Sequence, residues 1–167
     1  MVALGFGALS VGFNARAATN VTIAEGVYAY FEEFGGPAST RMRTLTIAPG
    51  EFLPWHYHSG VGAYTIVVQG TLTVEDGCGF DTAYAAGQAF IEPAGRVHRG
   101  KNLTGGPVIT AQTFIVPPGA PYSANTVQAC GRPRTVEECA GGGWAQFDYP
   151  RTFDNQGDCV QFVITGE

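Results

Sequence analysis

Histidine is scarce in this chain, and its placement carries chemistry. Only three occur in 167 residues: His56, His58 and His98. His56 and His58 are two apart, and on a strand positions i and i+2 point to the same face. Their imidazoles therefore project together, and His98 from another strand can complete a three-nitrogen set. Imidazole suits Zn, Cu, Fe and Ni, so the expected chemistry is the binding of a divalent metal ion. Three convergent imidazoles without partners would be costly to bury, which favours a metal over ordinary interior polar groups. With all three committed as ligands, no histidine remains for general acid–base work. The catalytic residues, if any, are unknown from sequence.

The residues around the histidines are patterned too. Gly50-Glu51-Phe52-Leu53-Pro54-Trp55-His56-Tyr57-His58 continues through Ala63 to Gly70, and the stretch from Gly87 to Asn102 contains Pro93, Gly95 and His98. These stretches resemble the paired motifs of the cupin superfamily, G-x5-H-x-H-x4-E-x6-G and G-x5-P-x-G-x2-H-x3-N. Gly50, His56, His58 and Gly70 match the first; Gly87, Pro93, Gly95, His98 and Asn102 match the second. The family's glutamate position is Ala63. The resemblance implies an all-β fold, a cupin-type double-stranded β-helix (jelly-roll barrel), with His56, His58 and His98 on one divalent metal. Iron is the first expectation for that metal, with Mn, Zn, Ni and Cu as alternatives. Three-histidine cupins without the glutamate are similar to thiol, diketone and gentisate-type dioxygenases. The implied function is therefore a metal-dependent, dioxygenase-like enzyme acting on a small anionic chelating molecule. The alternatives are a non-catalytic cupin that binds a small ligand, and a metal-dependent isomerase or decarboxylase.

Ala63 bears on this choice. Ala63, Thr65, Val67 and Gln69 share one strand face, which the motif alignment makes the interior. Without the carboxylate, three neutral imidazoles leave a divalent ion with its full charge, favouring an anionic chelator. Glu51 and Glu92 are the nearest carboxylates in sequence. Glu51 is an odd number of residues from His56 and should face away. Glu92 lies at a turn within reach of the metal, but the plainer reading of both is solvated surface charge. Arg96 shares the face of His98; it, Thr65 and Gln112 are the candidate substrate-binding residues. A surface salt bridge is the competing role for Arg96. Tyr57 and Tyr64 point away from the ligand face. Phe52, Trp55, Phe90 and Phe114 read as core, and Asn102 as a residue bonding its own turn.

The elements that must hold these residues are short strands. Asn20 to Phe31, Arg43 to Ala48, Phe52 to His58, Ala63 to Val68, Thr71 to Val74, Gln88 to Glu92, Arg96 to Asn102 and Val108 to Val116 read as strands. Gly- and Pro-containing turns separate them. From Ala120 onward the character changes. Thr135-Val136-Glu137-Glu138 has capping-box spacing and predicts one or two helical turns. Trp144 to Tyr149 and Val160 to Thr165 read as strands. The organisation expected is a signal segment over 1–17, a cupin domain over 18–118, and a Cys/Gly-rich extension over 119–167 packed on the barrel.

Composition narrows the function further. Apolar residues make up 45% and charged residues 14%, with a net charge of -5. That supports a folded core and, with no basic run, argues against a nucleic-acid surface. Val2 to Phe13 is apolar, and Ala15-Arg16-Ala17 resembles a signal-peptidase site. Secretion or periplasmic placement is expected, with a cytoplasmic protein as the alternative, and no membrane span after processing. A homodimer is an open assembly. Cys78, Cys130, Cys139 and Cys159 form an even set without a C-x2-C pair, which predicts two disulfides rather than a zinc ribbon. Three connectivities are open; Cys130–Cys139 is favoured by its short loop, leaving Cys78–Cys159.

Overall fold

A computed structural model describes residues 18–147 and 151–167. The expected signal segment lies outside the described residues. Among the described residues ten strands are present: β1 (Thr19–Phe31), β2 (Gly36–Ile47), β3 (His56–Tyr57), β4 (Ala63–Gln69), β5 (Thr71–Asp76), β6 (Asp81–Ala85), β7 (Ala89–Glu92), β8 (His98–Lys101), β9 (Val108–Val116) and β10 (Ala124–Asn125). They form two antiparallel five-stranded sheets, ordered β1-β2-β9-β4-β7 and β10-β3-β8-β5-β6. This is the all-β jelly roll expected from the strand-and-turn succession.

Alternation along the strands builds the interior. On β9 every second residue is buried, from Val108 through Thr110, Gln112 and Phe114 to Val116. On β4, Ala63, Thr65 and Val67 are buried, whereas Gln69 is exposed beyond an irregularity in the β4–β9 register. Leu45, Ile47, Val67, Leu72 and Val108 pack as the apolar core at one end of the barrel. Asn102 seals that end: its Nδ2 donates to the Ile47 and Gly106 carbonyls, and its Oδ1 accepts from the Thr104 amide. Glu51 faces away from the histidines and closes a turn by accepting from the Ala18 and Ala48 amides.

The C-terminal region has its own small core of Cys130, Cys139, Phe147, Phe153, Cys159 and Phe162. A 3-10 segment (Glu137–Gln146), broken at Ala140–Gly142, meets helix α1 (Gln156–Thr165) there. The capping box forms as expected, with the Thr135 amide donating to Glu138 Oε2 and the Glu138 amide donating to Thr135 Oγ1.

Three expectations are corrected here. Val160 to Thr165 lies in α1 and not in a strand: Asn155 caps it by accepting from the Asp158 amide, and Cys159 and Phe162 are buried at helical spacing. Short apolar runs do not separate helix from strand by period alone. The residues from Trp144 to Gln146 are likewise 3-10 rather than strand, and 148–150 lie outside the described residues. The disulfides are Cys78–Cys130 and Cys139–Cys159, not Cys130–Cys139 and Cys78–Cys159. Packing, rather than loop length, selects the partners. The backbone at Ala129 lies so close to Gly77 that a Cβ there would be 1.6 Å from the Ala129 carbonyl oxygen, which sets Cys130 beside Cys78. Cys139 and Cys159 are brought together by the 3-10 segment and α1.

Candidate metal centre

The three histidines come from the two strands that cross the barrel's second sheet and the turn beside them. His56 and His98 are Cα partners across the β3–β8 ladder. His58 follows β3 on the same side, as the two-residue spacing requires. The ring centroids lie 4.5 Å (His56–His98), 5.0 Å (His56–His58) and 5.1 Å (His58–His98) apart. All three are buried.

A fourth group joins them. Glu92, at the end of β7, is buried, and its Oε2 lies 2.7 Å from His58 Nε2 and 2.8 Å from His98 Nε2. One ligand atom from each of His56, His58, Glu92 and His98 falls within 4.8 Å of every other. This overturns two expectations. Glu92 is not a surface charge, and the centre is not a carboxylate-free set of three histidines. Ala63 is buried and carries no oxygen, yet its Cα partner on β7 is Glu92, so the acid arrives from the adjacent strand. Gly62 permits this approach: with φ at +88°, it sits where a Cβ would be 2.1 Å from the Glu92 carbonyl oxygen. The signal for Glu92 was present in the sequence. Phe90 reads as core, and Glu92 is two residues further on the same strand face.

Main-chain carbonyls set the imidazole tautomers. His56 Nδ1 lies 2.8 Å from the Pro54 carbonyl, His58 Nδ1 2.9 Å from that of Tyr122, and His98 Nδ1 2.9 Å from that of Arg96. A carbonyl can only accept, so each Nδ1 carries its hydrogen and each Nε2 of a neutral ring presents a lone pair. Two such lone pairs then face one carboxylate oxygen. A proton on each ring or one shared cation resolves that opposition, and the donor set fits the cation.

The protonation directions follow from the same contacts. Burial lowers His56 to about 4, helped by the charge of His98. Burial also pulls His98 down, but the hydrogen bond to Glu92 and its charge outweigh this, and the net shift is upward. Burial pushes Glu92 up, yet the bonds and charges of His58 and His98 hold it well below the usual carboxylate range.

The candidate substrate residues fall into two groups. Thr65 Oγ1 donates to Glu92 Oε1 at 2.5 Å, and Gln112 Nε2 lies 3.1 Å from both Glu92 Oε1 and Thr65 Oγ1. Both therefore hold the carboxylate. Arg43, which sequence reasoning passed over, donates from Nε to Gln112 Oε1 at 2.8 Å and stacks over the Phe114 ring. Arg96 is apart from this network and pairs with Glu138 of the 3-10 segment at 2.9 Å. Tyr64 is exposed, as expected.

Residues 43–116, which contain both histidine strands and Glu92, match the family described as the cupin domain. The chain carries a cupin domain. Among solved structures, an uncharacterised double-stranded β-helix protein from Klebsiella pneumoniae is similar at 20% identity and a TM-score of 0.52, over 66% of this chain and 84% of that one. The cupin domain of an XRE-family transcriptional regulator from Enterobacter cloacae aligns at 15% identity and a TM-score of 0.44, over 62% of this chain and 99% of that one. An oxalate oxidase in complex with glycolate aligns at 17% identity and 0.48, over 70% and 57%. These likenesses concern the fold alone. No curated protein matches the chain. In the cupin domain of this chain, a buried His/Glu cluster suited to a metal stands where both motifs converge.

Proposed function

We propose that His56, His58, His98 and Glu92 hold one divalent transition metal, and that the centre acts on a small anionic molecule able to chelate it. One observation carries the reading: three Nδ1–H groups are tied to main-chain carbonyls while two Nε2 atoms face a single oxygen of Glu92. Bound there, the metal supplies Lewis acidity toward a chelating anion and, if it is iron, electrons for dioxygen. Thr65 and Gln112 orient Glu92 by holding its second oxygen, and Arg43 fixes the Gln112 amide. Such supporting bonds commonly tune affinity and geometry. Three neutral rings and one carboxylate leave a divalent ion one net positive charge, so attraction for an anion persists.

The reaction proposed is a dioxygenase-type oxidation, with iron as the first metal. Glu92 favours a second reading, a metal-dependent isomerase or decarboxylase, because a carboxylate beside the substrate can also carry a proton. The test is metal analysis of protein made without added metal, then oxygen uptake by the iron-loaded protein across catechols, diketones, flavonols and thiols. Oxygen uptake supports the first reading and anaerobic turnover the second. Tight chelator binding without either leaves a non-catalytic ligand-binding cupin. Absence of metal binding refutes the centre itself.

Two broader proposals accompany this. The pairs Cys78–Cys130 and Cys139–Cys159 support placement outside the reducing cytoplasm. Among the described residues no helix is long and apolar enough to cross a membrane. Exposed Met42, Tyr64, Ile66 and Ile91 on the first sheet support a homodimer, which sedimentation would detect.

A further inference from the structure

β7 is one edge strand of the first sheet and β6 one edge strand of the second, and no ladder joins them. A cavity of about 150 Å³ lies along this seam; Val74, Tyr84 and Phe90 give it apolar walls, and Glu92 and His98 also line it. A second cavity of about 460 Å³ lies between the barrel and the 3-10 segment, lined by Glu137, Glu138, Gly143 and Phe147. Asp76, Phe80 and Arg96 line both, so those three side chains stand between the outer space and the inner one.

Arg96 at this junction is incompletely used. Its Nη2 donates to Glu138 Oε1 at 2.9 Å, while its Nε is buried and has no hydrogen-bond partner. A buried donor left unpaired is costly and calls for an explanation. A guanidinium presents parallel N–H groups that match a carboxylate two at a time, and here one oxygen of Glu138 engages only one. Glu138 itself has other bonds: its Oε2 accepts from the Arg134 amide at 2.6 Å and the Thr135 amide at 3.2 Å. It can therefore release Arg96 and keep its place in the capping box.

We propose that small organic carboxylates reach the centre through the β6–β7 seam, and that Arg96 receives their carboxylate at its neck by exchanging Glu138 for it. The apolar walls fit an aromatic or branched body behind the charge. Arg96 is thus a substrate-positioning residue, and the 3-10 segment supplies a surrogate carboxylate that holds it ready. The inference rests on the proposed function for what happens at the inner end of the seam.

The probe is benzoate, titrated calorimetrically into the full chain with its disulfides intact; Mn(II) is titrated separately. Benzoate should bind the wild type, and Arg96→Gln should weaken it at least about tenfold, the scale of losing a charge-assisted bond. Glu138→Gln should tighten it several-fold, because a competing charge is gone while glutamine still suits the capping box. Thr82→Trp, at an exposed seam position, should block it without touching Arg96. Opposite signs for the Arg96 and Glu138 variants are what a merely structural ion pair does not give. Equal weakening in both, no change in either, or no benzoate binding by the wild type overturns the inference. Mn(II) binding alongside Arg96-independent benzoate binding leaves the metal centre standing and removes the seam. Arg96-dependent benzoate binding without Mn(II) binding does the reverse.

Discussion

Ala63 and Glu92 are Cα partners across the β4–β7 ladder. By the motif resemblance the first is expected at the cupin glutamate position; the second delivers a buried carboxylate to the histidines from the neighbouring strand. Both residues are buried, so a carboxylate reaches the histidines from the strand beside the one on which the motif resemblance expects it.

This placement is testable by reversal. Glu92→Ala should weaken Mn(II) binding by at least the order of 10–100-fold seen when metal-site support is removed. The double variant Ala63→Glu/Glu92→Ala should recover most of that loss. Ala63→Glu alone should destabilise the protein, since two carboxylates would share one buried site. Calorimetric titration of the three variants checks the set, and a double variant no better than Glu92→Ala would count against positional equivalence.

Removing a ligand or the metal should lower stability as well as occupancy. His98→Ala should lose tight metal binding. For the wild type, metal at a hundred times its Kd contributes about 2.7 kcal/mol. In a chain of this size that is a shift of several degrees in Tm. Melting with and without a chelator measures it, and an unchanged Tm in metal-replete wild type would be inconsistent with a filled centre.

Peptide mapping under non-reducing conditions should recover Cys78 joined to Cys130 and Cys139 joined to Cys159. The loops closed span 52 and 20 residues, so the chain-entropy account gives each about 3–4 kcal/mol. Cys139→Ser/Cys159→Ser should therefore loosen the helical region and be read as faster amide exchange in α1, with the barrel strands little affected.

Helix α1 carries a pH signature. Asn155→Ala removes its cap and should cost about 1 kcal/mol. Arg151 holds the Asp158 carboxyl down at about 2, below the roughly 3.9 of a free aspartate. Stability from this pair is thus fully present above about pH 4 and is lost as pH falls toward 2. The melting difference between wild type and Asp158→Asn should shrink over that window, and the exposed position makes the effect small.

Spacing made much of the barrel legible: β9 coincides with Val108 to Val116 because alternation and flanking prolines both mark it. The histidine cluster was legible for the same reason, since strand parity and the motif spacing agree. Glu92 was missed because proximity to Pro93-Ala94-Gly95 suggested a surface turn, while its parity with Phe90 pointed inward. The disulfide partners were not legible at all, because tertiary packing at Gly77 and between the two helical segments decides them. Strand β6 went unrecognised: Asp81–Ala85 is largely exposed on an outermost strand and lacks the apolar alternation that marks the others.

The hydrogen bond from His58 Nδ1 to the Tyr122 carbonyl reaches past residue 116, where the family match ends. β10, which pairs with β3 beside His56, also lies past that limit. The smallest portable unit of this centre is consequently longer than the domain by which it is classified. Grafting or excising the site at the family boundary would carry over every ligand but leave His58 Nδ1 without the carbonyl that fixes its tautomer. A transplant that runs through Asn125 keeps the ring, its tautomer and the strand beside it.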